Sequence, residues 1–193
     1  MSIEAHVFSP DSEPIGISEL TTEMTGLHVV ARLLRGFRDW SDFDLVDSGD
    51  LQDGDILCGW VTSDPVASGI EGAVRRRDRS AIERYLSEGN LGACGVGVRD
   101  ISAVSPEDRA VLAELDGDDA FAKTIRTANV DYNAYSAAGR NDLSILLQFR
   151  LTQVIAKLRG GVWTDPVSGD HLVVVKGCRE RSPCLVAFEE QNP

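Results

Sequence analysis

Residues 39–61 read Asp39-Trp40-Ser41-Asp42-Phe43-Asp44-Leu45-Val46-Asp47-Ser48-Gly49-Asp50-Leu51-Gln52-Asp53-Gly54-Asp55-Ile56-Leu57-Cys58-Gly59-Trp60-Val61. Phe43 to Val46 and Ile56 to Val61 are short apolar runs rich in β-branched and aromatic residues, which predicts two strands. Ser48-Gly49-Asp50 and Asp53-Gly54 between them tolerate positive φ and suit turns. No helix fits between the two runs, so they cannot belong to a repeated strand–helix–strand wind. The expected fold class is therefore α+β: a single domain with a mixed or antiparallel sheet and about four helices packed on it.

Working outward, Ile3 to Phe8 alternates as a first strand and ends at Ser9-Pro10-Asp11. Between Ser18 and Trp40, Leu27, Val30, Leu33, Leu34 and Phe37 recur at three- and four-residue spacing. That spacing predicts a helix with Thr25 as N-cap and Gly36 weakening its last turn. A second helix is expected over Val66 to Ser87, with Ile70, Val74, Ile82, Tyr85 and Leu86 inward and the Arg75–Arg79 cluster outward, ended by Glu88-Gly89-Asn90. Leu91 to Val98, with Gly92, Gly95 and Gly97, reads as a buried strand approached closely by other backbone. Ser105-Pro106-Glu107-Asp108 carries the cap, proline and acids of a helix start, running to about Leu115.

Asp116 to Asp119 is the place for an internal boundary. Ala120 to Gly139 fits either a strand or an irregular arm around Val130, Tyr132 and Tyr135. Asn141-Asp142 opens a helix striped by Leu143, Leu147, Leu151, Val154, Ile155 and Leu158 and ended by Gly160-Gly161. Val162 to Thr164, Leu172 to Val175 and Leu185 to Phe188 are expected as closing strands, the first two joined by the loop Asp165–Asp170.

The chain has 193 residues, 42% of them hydrophobic and 26% charged, which are ordinary globular proportions. The N-terminal residues lack the basic and apolar regions of a secretory signal, and nowhere do enough apolar residues run together to span a bilayer. Cys58, Cys94, Cys178 and Cys184 read as reduced thiols. These features predict a cytoplasmic protein. The net charge is −12, which argues against nucleic-acid and membrane partners and for basic proteins. Residues 39–55 concentrate this charge: seven aspartates and no Lys or Arg.

No catalytic motif emerges. The Gly92–Gly97 run has the wrong spacing for a dinucleotide or phosphate loop. His6, His28 and His171 have no local nucleophile or orienting carboxylate pattern. His171, Cys178 and Cys184 fit no zinc spacing, and Asp50, Asp53 and Asp55 lack the order of a calcium loop. Neither a metal nor another cofactor is expected. Arg75, Arg76, Arg77 and Arg79 could touch phosphates, yet the overall charge favours pairing with the acids of the same chain.

The passage Leu151-Thr152-Gln153-Val154-Ile155-Ala156-Lys157-Leu158-Arg159-Gly160-Gly161-Val162-Trp163-Thr164-Asp165-Pro166-Val167-Ser168-Gly169 is an amphipathic helix, a Gly-Gly break, a short strand and an Asp-Pro-x-x-Gly turn. It resembles the end of immunity proteins of polymorphic or type VI toxin systems of bacteria. The resemblance implies an acidic, cytoplasmic α+β protein that binds one cognate toxin and blocks its active site or substrate entrance. The composition points the same way, because acidic carboxylates steer a basic effector such as a nuclease.

The expected partner-binding face is Asp39, Trp40, Asp42, Phe43, Asp44, Asp47, Asp50, Asp53 and Asp55, with Trp40 and Phe43 as aromatic anchors inside a charged rim. Trp60 is a third aromatic of that region, expected in the core. A second reading is a small enzyme or ligand-binding domain using polar residues beside the Gly92–Gly97 strand, with Tyr135, Arg140 and Asp142. A third is a self-assembling or phage-encoded interaction protein.

Overall fold

The computed structural model describes residues 3–112, 120–136, 141–164, 171–174 and 176. The expectations for Asp116–Asp119, Arg140, the 165–170 loop, Cys178, Cys184 and the strand at 185–188 lie outside them. Among the described residues eight strands form one antiparallel sheet: β1 (Ile3–Ser9), β2 (Val29–Asp39), β3 (Asp42–Val46), β4 (Ile56–Val61), β5 (Gly92–Asp100), β6 (Val130–Ser136), β7 (Gly161–Thr164) and β8 (His171–Val174). Their order across the sheet is β3-β2-β4-β5-β6-β1-β7-β8. The fold is α+β, and the sheet is antiparallel throughout.

Six helices accompany it among the described residues: α1 (Ile17–Gly26), α2 (Ala67–Arg76), α3 (Arg79–Ser87), α4 (Pro106–Leu112), α5 (Ala120–Ile125) and α6 (Asp142–Arg159). The number exceeds the expected four because the Val66–Ser87 helix breaks in two and a short helix precedes β6. The break falls at Arg77, which takes a left-handed conformation (φ 55°), after which Asp78 caps α3 by accepting the Ala81 N–H.

The expected helix over Ser18 to Trp40 is overturned in its second half. α1 ends at Gly26, His28 takes φ 61°, and residues 29–39 are the long strand β2. Thr25 lies in the last turn of α1, where its hydroxyl donates to the Thr21 carbonyl, so it is not an N-cap. The physical reason is burial on both faces. Val29, Ala31 and Leu33 enter one core cluster while Val30, Leu34 and Phe37 enter another, and this double burial mimics helical spacing. Gly36 sits at φ 63° where the β2–β3 register shifts, so it serves a bulge.

Helices cover both faces of the sheet. On the first face α1 and α6 enclose the largest cluster, which includes Ile17, Leu20, Met24, Leu57, Val96, Tyr132, Leu147, Leu151, Ile155 and Trp163. On the second face α2 and α3 cover β2–β4 through Ile70, Val74, Ile82, Leu34, Phe43 and Trp60. The far end of that face packs Phe8 and Val162 against Ile101, Ile125 and Ala128.

The apolar face of α6 carries a line of buried polar side chains at four-residue spacing: Ser144, Gln148 and Thr152. Each is bonded to the sheet. Ser144 Oγ accepts the Ala93 N–H (3.0 Å), and Gln148 Nε2 donates to the Ala134 carbonyl (2.8 Å) while its Oε1 accepts from Ser136 Oγ (3.0 Å). Thr152 Oγ1 accepts from Trp163 Nε1 (2.9 Å). Asn141, the cap, accepts the Ser144 N–H and donates to the carbonyls of Leu86 and Leu91, joining α3, β5 and α6. Gly92 lets the helix start sit this close, since a Cβ there would lie 2.7 Å from the Leu143 carbonyl carbon.

Two predictions follow from these contacts. Thr152→Val removes the acceptor of a buried indole N–H at almost constant volume and lowers stability by about 1–2 kcal/mol in urea unfolding. At Gly161, φ is 117° and a Cβ would stand 2.2 Å from the Phe8 carbonyl oxygen. Gly161→Ala therefore costs about 3 kcal/mol or more by the same measurement, whereas Gly36→Ala, strained but surrounded by open space, costs about 1 kcal/mol.

Candidate functional site

The acidic segment spans three structural settings. At the β2–β3 turn Asp39 accepts from the Ser41 hydroxyl (2.6 Å) and the Ser41 N–H (2.7 Å), which hold its carboxyl below the ordinary range. Asp39 also pairs with Arg79 (3.6 Å), Asp42 with Arg38 (3.7 Å) and Asp44 with Arg77 (3.2 Å). The arginine cluster at the α2–α3 junction thus faces the acidic hairpin. These pairs are open to solvent and screened by it, so they contribute little and exchange readily.

Asp55 is different. It is 1% exposed and takes two bonds from Arg35 at 2.8 Å each, with a third from the Gln52 N–H (2.9 Å). The carboxylate in turn holds the Arg35 pKa above its ordinary value, chiefly through the side-chain hydrogen bond. A buried two-pronged pair of this kind pins the 47–55 segment to β2. Asp55 is therefore not part of an accessible binding face, which corrects its expected role.

Asp47, Asp50 and Asp53 lie in the connection between β3 and β4, all exposed, with no ion-pair partner among the described residues. The backbone around Asp50 is anchored by a bridge to Gly16 and by the Leu51 N–H bonded to Ile15, while Asp53 accepts the Val98 N–H (3.1 Å). These contacts fix the placement of Asp50 and Asp53.

Of the two aromatic anchors, Phe43 is corrected. Phe43 is 2% exposed, because β3 alternates Phe43 inward with Asp42 and Asp44 outward. Trp40 is half-buried and lies edge-on to Phe37 with ring centroids 4.9 Å apart. Both pack on the cluster beneath α2 and α3. Trp60 is core, as expected.

A second polar group assembles on the sheet face that carries α2 to α5. Register aligns Gly95, Tyr135 and Glu4 in one row across β5, β6 and β1, and Gly97, Asn133 and His6 in the next. A Cβ at Gly95 would meet the Tyr135 ring at 2.2 Å, and one at Gly97 would meet Asn133 Oδ1 at 1.6 Å. The glycines of β5 therefore let two cross-strand side chains lie flat on the sheet. Beside them His6 Nδ1 is 2.9 Å from Asp131 Oδ1, and its Nε2 is 3.7 Å from Glu4 Oε2. Asp131 is buried and His6 partly so, which orients the imidazole.

Local sequence could not reveal this pairing, since His6 and Asp131 are 125 residues apart and only the β1–β6 register joins them. Tyr135 does meet the glycine strand, as the second sequence reading required. Asp142 instead begins α6, on the opposite face.

Cys58 and Cys94 are free and buried, and burial pushes the Cys58 thiol up to about 12 and raises that of Cys94 as well. Neither suits nucleophilic work. Among the described residues no group of acidic, histidine and cysteine side chains could hold a metal ion, and no helix is long and apolar enough to cross a membrane. The chain matches no family model, no curated protein and no solved structure.

The two kinds of aspartate should behave oppositely when neutralised. Asp55→Asn breaks a buried pair and lowers stability by about 3 kcal/mol, whereas Asp47→Asn changes it by less than about 0.5 kcal/mol in chemical denaturation.

Proposed function

We propose that the chain is an immunity-type protein that binds a basic bacterial toxin stoichiometrically in the cytoplasm and neutralises it without catalysis. One observation carries the reading. After internal pairing has engaged Asp39, Asp42, Asp44 and Asp55, the exposed carboxylates of Asp47, Asp50 and Asp53 have no ion-pair partner among the described residues, in a chain of net charge −12. Like charges held together oppose folding, and a cationic surface laid over them relieves that repulsion. The same field steers a basic partner such as a nuclease and repels its nucleic-acid substrate.

A second reading, a ligand-binding domain or small enzyme, rests on the His6–Asp131 pair beside Asn133 and Tyr135. An imidazole oriented by a buried carboxylate is a competent hydrogen-bonding or proton-transferring group.

Affinity capture from native lysate at low and then high salt separates the two. The first reading expects one basic protein, retained stoichiometrically, released by salt, toxic when expressed alone and harmless when co-expressed. Retention of a small molecule with no protein partner would instead support the second. With the captured toxin in hand, the triple change Asp47→Asn, Asp50→Asn and Asp53→Asn should slow association by about ten-fold at low salt and flatten its salt dependence. An unchanged rate and slope would remove this segment from the interface.

A further inference from the structure

We infer that the outer edge of β3 receives a basic, extended strand of the partner, so that the partner docks by adding a ninth strand to the sheet. This rests on the proposed reading of a basic protein partner. Among the described residues β3 ends the sheet on one side, with β2 as its only neighbour in the strand order. Apart from that pairing, the backbone of Asp42–Val46 makes no bond to other backbone among the described residues, and the Asp42 N–H turns back to the Asp39 carboxylate. An edge of this kind is a ready template for main-chain pairing.

The side chains specify what can pair there. Phe43 and Leu45 turn inward toward α2 and α3, while Asp42 and Asp44 project from the opposite face with 60% and 84% of their side chains exposed. Directly opposed side chains in an antiparallel pair lie about 5 Å apart, so lysine or arginine at alternate positions of an incoming strand meets these two carboxylates. A second copy of the chain is disfavoured by the same geometry. The two-fold register that pairs all of 42–46 sets Asp44 against its own symmetry mate, and opposed like charges are destabilising.

Arg77 marks where the incoming cation would sit. Its guanidinium lies 5.7 Å from the centre of the Phe43 ring and bonds Asp44 at 3.2 Å. Those two side chains point to opposite faces of β3, so a group touching both crosses the outer edge. The Arg77–Asp44 pair is exposed and weak enough for a cation from the arriving strand to replace it.

Amide exchange of the labelled protein, followed by NMR, tests the edge. The probe is a short peptide of alternating lysine and valine, compared with its glutamate–valine counterpart and with a lysine–valine peptide N-methylated at alternate residues. Strand addition slows exchange at alternate amides of 42–46 by about ten-fold or more. It also makes the N-methylated peptide bind about ten-fold more weakly, because several main-chain bonds are lost, and leaves the glutamate peptide unbound.

Absence of binding by the lysine–valine peptide overturns the inference, as does slowing at β8, the last strand on the other side among the described residues, in place of β3. Equal binding of the two lysine peptides with β3 exchange unchanged also overturns it, while leaving charge-driven recognition of a basic partner intact. Slowing at β3 in a protein that neutralises no toxin would keep the docking edge and remove the immunity reading.

Discussion

The seating of α6 on the sheet is the constraint from which the remaining geometry follows. Hydrophobic burial along Leu147, Leu151, Val154 and Ile155 holds the helix down but is non-directional, and would tolerate sliding. The polar line Ser144, Gln148 and Thr152 removes that freedom, because each group finds its partner in one position only: the Ala93 N–H, the Ala134 carbonyl and the Trp163 indole. A displaced helix would leave several buried donors and acceptors unmatched, each at a cost of about 1–3 kcal/mol. At the C-terminal end Arg159, 5% exposed, donates to the carbonyls of Glu13 and Pro14 and ties the segment leading into α1 to the same helix. The backbone of that segment in turn bonds Gly49 and Leu51, so the seating of α6 reaches the acidic connection.

The fold sorts the acidic segment into three kinds of charge. Asp55 is buried and structural. Asp39, Asp42 and Asp44 are exposed but matched by arginines, two of which come from the α2–α3 junction. Asp47, Asp50 and Asp53 retain their field. Of the junction arginines, Arg77 pairs with Asp44 and Arg79 with Asp39. They temper the hairpin relative to the connection, and the exposed pairs at the hairpin stay exchangeable.

Legibility in the sequence follows how local each determinant is. α6 was readable because its stripe, the Asn141 cap and the Gly160 stop all fall within twenty residues. β3, β4 and β5 were readable for the same reason. β2 was not, because a strand buried on both faces loses the alternation that identifies strands, and its apolar residues then fall at helix-like spacing. Phe43 was misread as an anchor because adjacency to aspartates says nothing about which side of a strand faces the core. His6 and Asp131 escaped notice because no signal in either neighbourhood points to the other.

The sequence by itself determined the α+β class, most of the elements and the charge of the molecule, since each rests on composition or on periodicity over a few residues. Only the tertiary structure decided which aspartates are buried, which are paired and which remain exposed, that β3 is an edge, and that His6 meets Asp131. Those outcomes depend on strand order and register, which arise from contacts between residues far apart in the chain and are recorded in no short stretch of it.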